Sequence, residues 1–81
     1  MQIKIYGRPN CQWCDAAKNL LDRKGYKYVY IDLIDMHPGN RSEVLEASGM
    51  RTVPIVKIDN MYIGGYDHLD GYIRGVEERK V

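Results

Sequence analysis

Met1-Gln2-Ile3-Lys4-Ile5-Tyr6-Gly7-Arg8-Pro9-Asn10-Cys11-Gln12-Trp13-Cys14 contains a change of period that decides the fold. Residues 2–6 alternate as a short strand, with Ile3 and Ile5 on one face, and Gly7 and Pro9 end it. After Cys11 the spacing turns helical. Trp13, Ala16, Ala17, Leu20 and Leu21 recur at three and four residues, while Asp15, Lys18, Asp22 and Arg23 face away. Gly25 stands where a C-terminal helix glycine belongs, and Arg23 and Lys24 suit the negative end of the dipole. Residues 27–33 read as a second strand, with Val29, Ile31 and Leu33 on one face and Tyr28 and Tyr30 on the other. A strand, helix and strand in this order predict a right-handed crossover joining a parallel pair.

The remainder extends that unit. Met36-His37-Pro38-Gly39 is a turn, and Asn40 with Glu43 forms a capping pair that opens a short helix through Val44, Leu45 and Ser48. Gly49 stops it. Residues 53–58 suit a central strand that tolerates Pro54 only near its start. Asp59-Asn60 turns the chain into a strand over 61–63, ended by Gly64-Gly65. Asp67 is placed to cap a last helix with the stripe Leu69, Tyr72, Ile73 and Val76, weakened at Gly71 and Gly75. The tail over 77–80 reads as a frayed, solvated end. The order β-α-β-α-β-β-α predicts a single α/β domain over 1–81, a four-stranded mixed sheet flanked by helices.

Composition narrows the function. Twelve basic and eleven acidic residues give a net charge of +1, without the basic excess of an electrostatic nucleic-acid binder. No apolar run approaches the ~18 residues of a membrane span. The first residues alternate like a strand instead of forming a signal-peptide core, so a reducing cytoplasm is expected. Structural disulfides are rare there, and the two cysteines need another explanation. Seven tyrosines and no phenylalanine fit a small core that keeps hydroxyls at its solvent edge.

Two cysteines three apart at a helix start are arranged for redox work. Unpaired N–H groups and the positive end of the dipole favour an anion at the first, and the thiolate is the attacking species. Such thiols ionise at roughly 3.5–7.5 against about 8.5 for free cysteine. Arg8 adds a fixed positive charge nearby, and Cys14 lies one turn along, within reach of the Cys11 sulfur. Cys11 is therefore assigned as nucleophile and Cys14 as resolving thiol. A zinc site would need four ligands, and only His37 and His68 remain, without paired spacing. A structural bridge across so few residues would constrain the unfolded chain little.

Three separated motifs together resemble the glutaredoxins: Tyr6-Gly7-Arg8-Pro9-Asn10-Cys11-Gln12-Trp13-Cys14, Ser48-Gly49-Met50-Arg51-Thr52-Val53-Pro54, and Ile63-Gly64-Gly65-Tyr66-Asp67-His68-Leu69. The resemblance covers essentially the whole chain, and is strongest to compact bacterial and phage members. It implies a thioredoxin-like fold, a cis Val53-Pro54 bond whose Val53 backbone pairs with an extended ligand, and glutathione as that ligand. It further implies that Arg8 meets the glycine carboxylate of glutathione and that Arg51 supplies a second cation. Trp13 would shield the sulfur or pack on the ligand. Thr52, Val53, Pro54, Gly65, Tyr66 and Asp67 would line the rest, with Asp67 and its N–H holding the γ-glutamyl end. Two residues depart from the family pattern. Gln12 replaces the usual proline and should change the redox poise. His68 stands where an acidic or hydroxyl residue is common, and would make binding pH-dependent if it met a carboxylate.

The resemblance implies a monomeric, glutathione-dependent disulfide reductase with no metal and no permanently bound cofactor. Protein disulfides and glutathionylated proteins would be its substrates, with ribonucleotide reductase among the targets. Two alternatives stay open: a redoxin of the same fold recharged by thioredoxin reductase, and a dimer holding an iron–sulfur cluster through Cys11 and two glutathiones.

Overall fold

The computed structural model describes residues 1–79. Four strands, β1 (Ile3–Gly7), β2 (Val29–Asp32), β3 (Ile55–Ile58) and β4 (Met61–Gly64), form one sheet in the order β2-β1-β3-β4. β1 and β2 run parallel, while β1–β3 and β3–β4 are antiparallel. Three helices, α1 (Gln12–Lys24), α2 (Pro38–Ser48) and α3 (Tyr66–Glu78), complete the expected order; the second strand is shorter than the expected 27–33, and Leu33 instead opens a 3-10 turn (Leu33–Asp35), where the Asp32 carboxylate accepts the Ile34 N–H. The mixed sheet with flanking helices is the thioredoxin-like arrangement.

The alternation of the central strands builds two cores. Ile3, Ile5, Val56 and Ile58 point to one face, where Ala17, Leu20 and Leu21 of α1 and Leu69 and Ile73 of α3 cover them. Tyr6 and Ile55 point to the other and meet Leu33 and Val44 of α2. The large core is thus shared by two helices, and the small one belongs to α2. Val56 faces Gly64 whereas Lys57 faces Tyr62, so β4 carries one extra residue, Ile63, at its exit.

Helix ends follow the chemistry of their residues. Gly25 and Gly49 close α1 and α2 in the left-handed conformation, as expected from their positions. α2 begins at Pro38, two residues before the expected Asn40. His37 is its cap, accepting the Gly39 N–H on Nδ1 at 3.3 Å, and proline at the first helical position already has the required φ. Gly65, not Asp67, caps α3, and Asp67 lies inside the first turn, where its charge suits the dipole. Trp13 departs from the expected α1 stripe. It is 58% exposed, and Cys14 takes the buried place on that turn. Tyr72 likewise leaves the α3 stripe for the surface. The helix runs on through Glu78, held to α1 by a Lys24–Glu77 ion pair at 2.6 Å, while Lys80 of the expected frayed end lies outside the described residues.

Two glycines of opposite character give a stability test. Gly64 has φ +125, and a Cβ there would stand 2.6 Å from Cγ of His68, whose imidazole rests on it. Gly71 is exposed inside α3 with nothing within 4 Å. Gly64→Ala should lower unfolding stability in urea by about 1–3 kcal/mol, and Gly71→Ala should raise it by about 0.5–1 kcal/mol. The same sign for both would contradict these placements.

Burial first, then neighbouring groups such as Asp22 at Tyr28, Asp32 at Tyr30 and Tyr6 at Tyr62, raise these three phenols above 10.0. Raised acids favour the protonated folded state, so their stabilisation is present below the unfolded value and is lost as pH rises through the folded one. The urea midpoint should fall above about pH 10. A midpoint unchanged to about pH 12 would contradict it.

Candidate active site

The sheet brings the three motifs to one end. Gly7, the last residue of β1, pairs with Asp32 at the end of the parallel β2. Tyr6 pairs with Ile55, the first residue of the antiparallel β3, so Val53 and Pro54 lie beside the exit of β1. Val56 pairs with Gly64, which delivers Gly65 and the start of α3 to the same edge. The Val53-Pro54 bond is cis, as the resemblance implied.

Between β1 and α1, Asn10 takes φ 57, a left-handed conformation that asparagine tolerates, and sets Cys11 as the extended N-cap. The Cys11 sulfur occupies the place of a capping oxygen: Cys14 N–H donates to Cys11 Sγ at 3.1 Å. Cys11 is half-buried and Cys14 fully buried. The two are joined as a disulfide with Cα atoms 5.2 Å apart, so a partner arriving from solvent reaches Cys11 first. Gly7 allows this packing, since a Cβ there would lie 2.9 Å from Cys14 Sγ.

Two clefts flank the pair. The first, about 300 Å³, is lined by Trp13, Met50, Thr52, Val53, Pro54, Gly65, Tyr66, Asp67 and His68. Seven of the eleven expected site residues therefore meet in it. Trp13 and Tyr66 form one wall, with ring centroids 5.3 Å apart and tilted at 44°. Opposite charge and open backbone come from the first turn of α3, where Asp67 lies among N–H groups without helical partners. The second cleft, about 290 Å³, is lined by Arg8, Pro9, Leu33, Ile34, Arg41 and Leu45.

Arg8 and Arg51 do not join the first cleft. Arg8 lines the second, together with Arg41 and Leu45 of α2. Arg51 is exposed beside Leu45, Glu46 and Met50 on a separate shallow surface. Sequence reading missed Met50 and Arg41. Met50 is carried into the cleft by the loop after α2, where its N–H is held by Ser48 Oγ at 3.1 Å. Arg41 clasps the 3-10 turn, donating from Nε to the Leu33 carbonyl at 2.8 Å and from Nη2 to that of Met36 at 3.2 Å. A cation in the first turns of a helix opposes the dipole, and that conflict was the available signal for a special task.

Among the described residues no three His, Cys, Asp or Glu side chains cluster closely enough to hold a metal ion. No described helix is long and apolar enough to cross a membrane.

Comparison with known proteins agrees with this geometry. The glutaredoxin family model matches residues 3–63. Glutaredoxin 3 of Escherichia coli K12 is 39% identical over 67 residues, which are 83% of this chain and 80% of the relative. The crystal structure of a buckwheat glutaredoxin–glutathione complex is similar at a TM-score of 0.78 and 31% identity, over 90% of this chain and 68% of that one. The glutaredoxin-like NrdH-redoxin of E. coli, described by its thioredoxin-like activity profile, aligns at 0.71 and 27%, over 88% and 93%. With its Cys-X-X-Cys pair at the head of α1, this chain belongs to the glutaredoxin family of thiol–disulfide redox proteins.

Proposed function

We propose that this chain reduces protein disulfides and glutathione mixed disulfides, with glutathione as electron donor. The observation that carries the reading is the Cys11 sulfur held at the helix start by a backbone N–H, with Cys14 buried behind it. In the reduced protein the same N–H and dipole favour the Cys11 thiolate. That thiolate attacks a substrate disulfide and forms a mixed disulfide as the first substrate sulfur leaves with its electron pair. Cys14 Sγ then attacks Cys11 Sγ, closing the bridge and releasing the second substrate sulfur. Glutathione thiolate opens the bridge at Cys11, and a second glutathione displaces the first as glutathione disulfide. Glutaredoxin potentials near −200 to −230 mV lie within reach of a cellular glutathione pool, roughly −220 to −260 mV by extraction.

The flanking clefts suit a ligand with two carboxylates and one ammonium. Arg8 offers its guanidinium to one carboxylate, and Arg41 adds positive charge to the same cleft while its Nε and Nη2 stay on the carbonyls of the 3-10 turn. Asp67 offers a partner for the ammonium, and the N–H groups of the α3 first turn suit the other carboxylate. Val53 backbone, Thr52, Pro54, Gly65 and the Trp13–Tyr66 wall border the peptide portion between them. Arg51 is left as an outlying cation that a larger protein substrate would meet. The buckwheat relative, solved with glutathione, supports this donor. We further propose that the chain acts as a single-domain monomer in the reducing cytoplasm, with ribonucleotide reductase among its targets.

One observation favours a second reading. It is the likeness to NrdH-redoxin, described by a thioredoxin-like activity profile, and the reading it supports is recharging by thioredoxin reductase. Turnover with glutathione and glutathione reductase, compared with NADPH and thioredoxin reductase, decides the donor; faster turnover with the first is expected. Cys11→Ser should abolish all activity. Cys14→Ser should keep reduction of a small glutathione mixed disulfide and lose turnover of protein disulfides. Equal residual activity in the two variants would reject the assignment.

A further inference from the structure

When glutathione thiolate attacks Cys11 Sγ, a sulfur–sulfur bond forms there, the Cys11–Cys14 bond breaks, and its electron pair remains on Cys14. The thiolate then forms at a sulfur with 0% exposure, and a buried anion without a donor is strongly disfavoured. The N–H of Cys14 is already engaged with Cys11 Sγ. Among the described residues the Tyr6 phenol is the one hydroxyl in the buried set, and it packs in the smaller core with Leu33, Val44 and Ile55, so a side-chain donor comes from the rim.

Gly7 shows where that help stands. Tyr30 Cζ lies 2.8 Å and Cys14 Sγ 2.9 Å from the one point that a Cβ on Gly7 would occupy, and Tyr30 Oη is closer to it than either. Phenol and sulfur are therefore neighbours across a glycine that has no side chain to separate them. We propose that the Tyr30 hydroxyl serves Cys14, donating a hydrogen bond to the thiolate released when the disulfide opens. The inference rests on Cys14 being the resolving thiol.

The surroundings of Tyr30 fit a donor. Its sheet position is fixed by pairing with Ile5, and Lys18 Nζ of α1 sits 4.2 Å from its ring centroid. In the disulfide form its hydroxyl makes a long bond of 3.5 Å to the Arg8 carbonyl, which a nearby anion would outcompete. Burial, then the carboxylates of Asp32 on β2 and Asp15 on α1, raise the phenol above its ordinary value, so it keeps its proton through the neutral range.

Tyr30→Phe removes one oxygen and keeps the ring over Gly7. In a Cys11→Ser background, the thiolate absorbance of Cys14 should titrate with a midpoint about one pH unit higher in Tyr30→Phe than with Tyr30. In the two-cysteine protein, opening of the disulfide by glutathione should slow about tenfold. An unmoved Cys14 midpoint would overturn the inference, and an unchanged opening rate would do the same. Full turnover of protein disulfides by Cys14→Ser would strike the resolving role itself and remove the inference with it.

Discussion

The hydrogen bond from the Cys14 amide to the Cys11 sulfur is the contact around which this molecule is organised. A helix start leaves N–H groups without partners, and most proteins satisfy them with an oxygen of Ser, Thr, Asp or Asn. Here a sulfur takes that place, so the need of the helix for an acceptor and the need of the thiol for an anion-stabilising donor are met by one interaction. The left-handed turn at Asn10 lets an extended Cys11 enter the helix in this pose. The three-residue spacing then turns Cys14 inward under its partner, giving one accessible and one sheltered sulfur.

The sheet supplies the rest of the site through its strand directions. β1 ends at the site, and its parallel neighbour β2 must end there also, while the antiparallel β3 must begin there and β4 must end there. Residues more than forty positions apart thus share an edge without any long loop reaching across the molecule. The extra residue in β4 and the left-handed Gly64 turn the chain sharply into α3, setting its first turn against Trp13. Core and site are coupled in this way: Tyr6, Ile55 and Val56 fix the register on which the clefts depend.

Much of this is legible in the amino-acid sequence itself. Periods of two and of three to four residues, with glycines at both left-handed helix ends, place seven elements in order. The cysteine pair declares its own chemistry. Resemblance adds the cis bond and the cleft wall, which no local pattern encodes. The misreadings have separate causes. Trp13 and Tyr72 have the period of a core stripe, yet period cannot tell a core from an apolar cleft wall. Asn40 and Asp67 are good caps by type, but Pro38 and Gly65 prevail because backbone conformation sets the helix starts. Arg8 after β1, Arg41 within α2, and Met50 and Arg51 in the loop after α2 depend on how separate elements meet around the sheet, and that is tertiary information.

In the function proposed above, the helix start keeps the Cys11 sulfur of the reduced protein ionised at neutral pH. The most direct test is the rate of alkylation of reduced Cys14→Ser protein by iodoacetamide between pH 4 and pH 9. A midpoint well below the roughly 8.5 of free cysteine is expected, with a higher rate than free cysteine at pH 6. A midpoint at or above that of the free amino acid, with no gain in rate at pH 6, would contradict it.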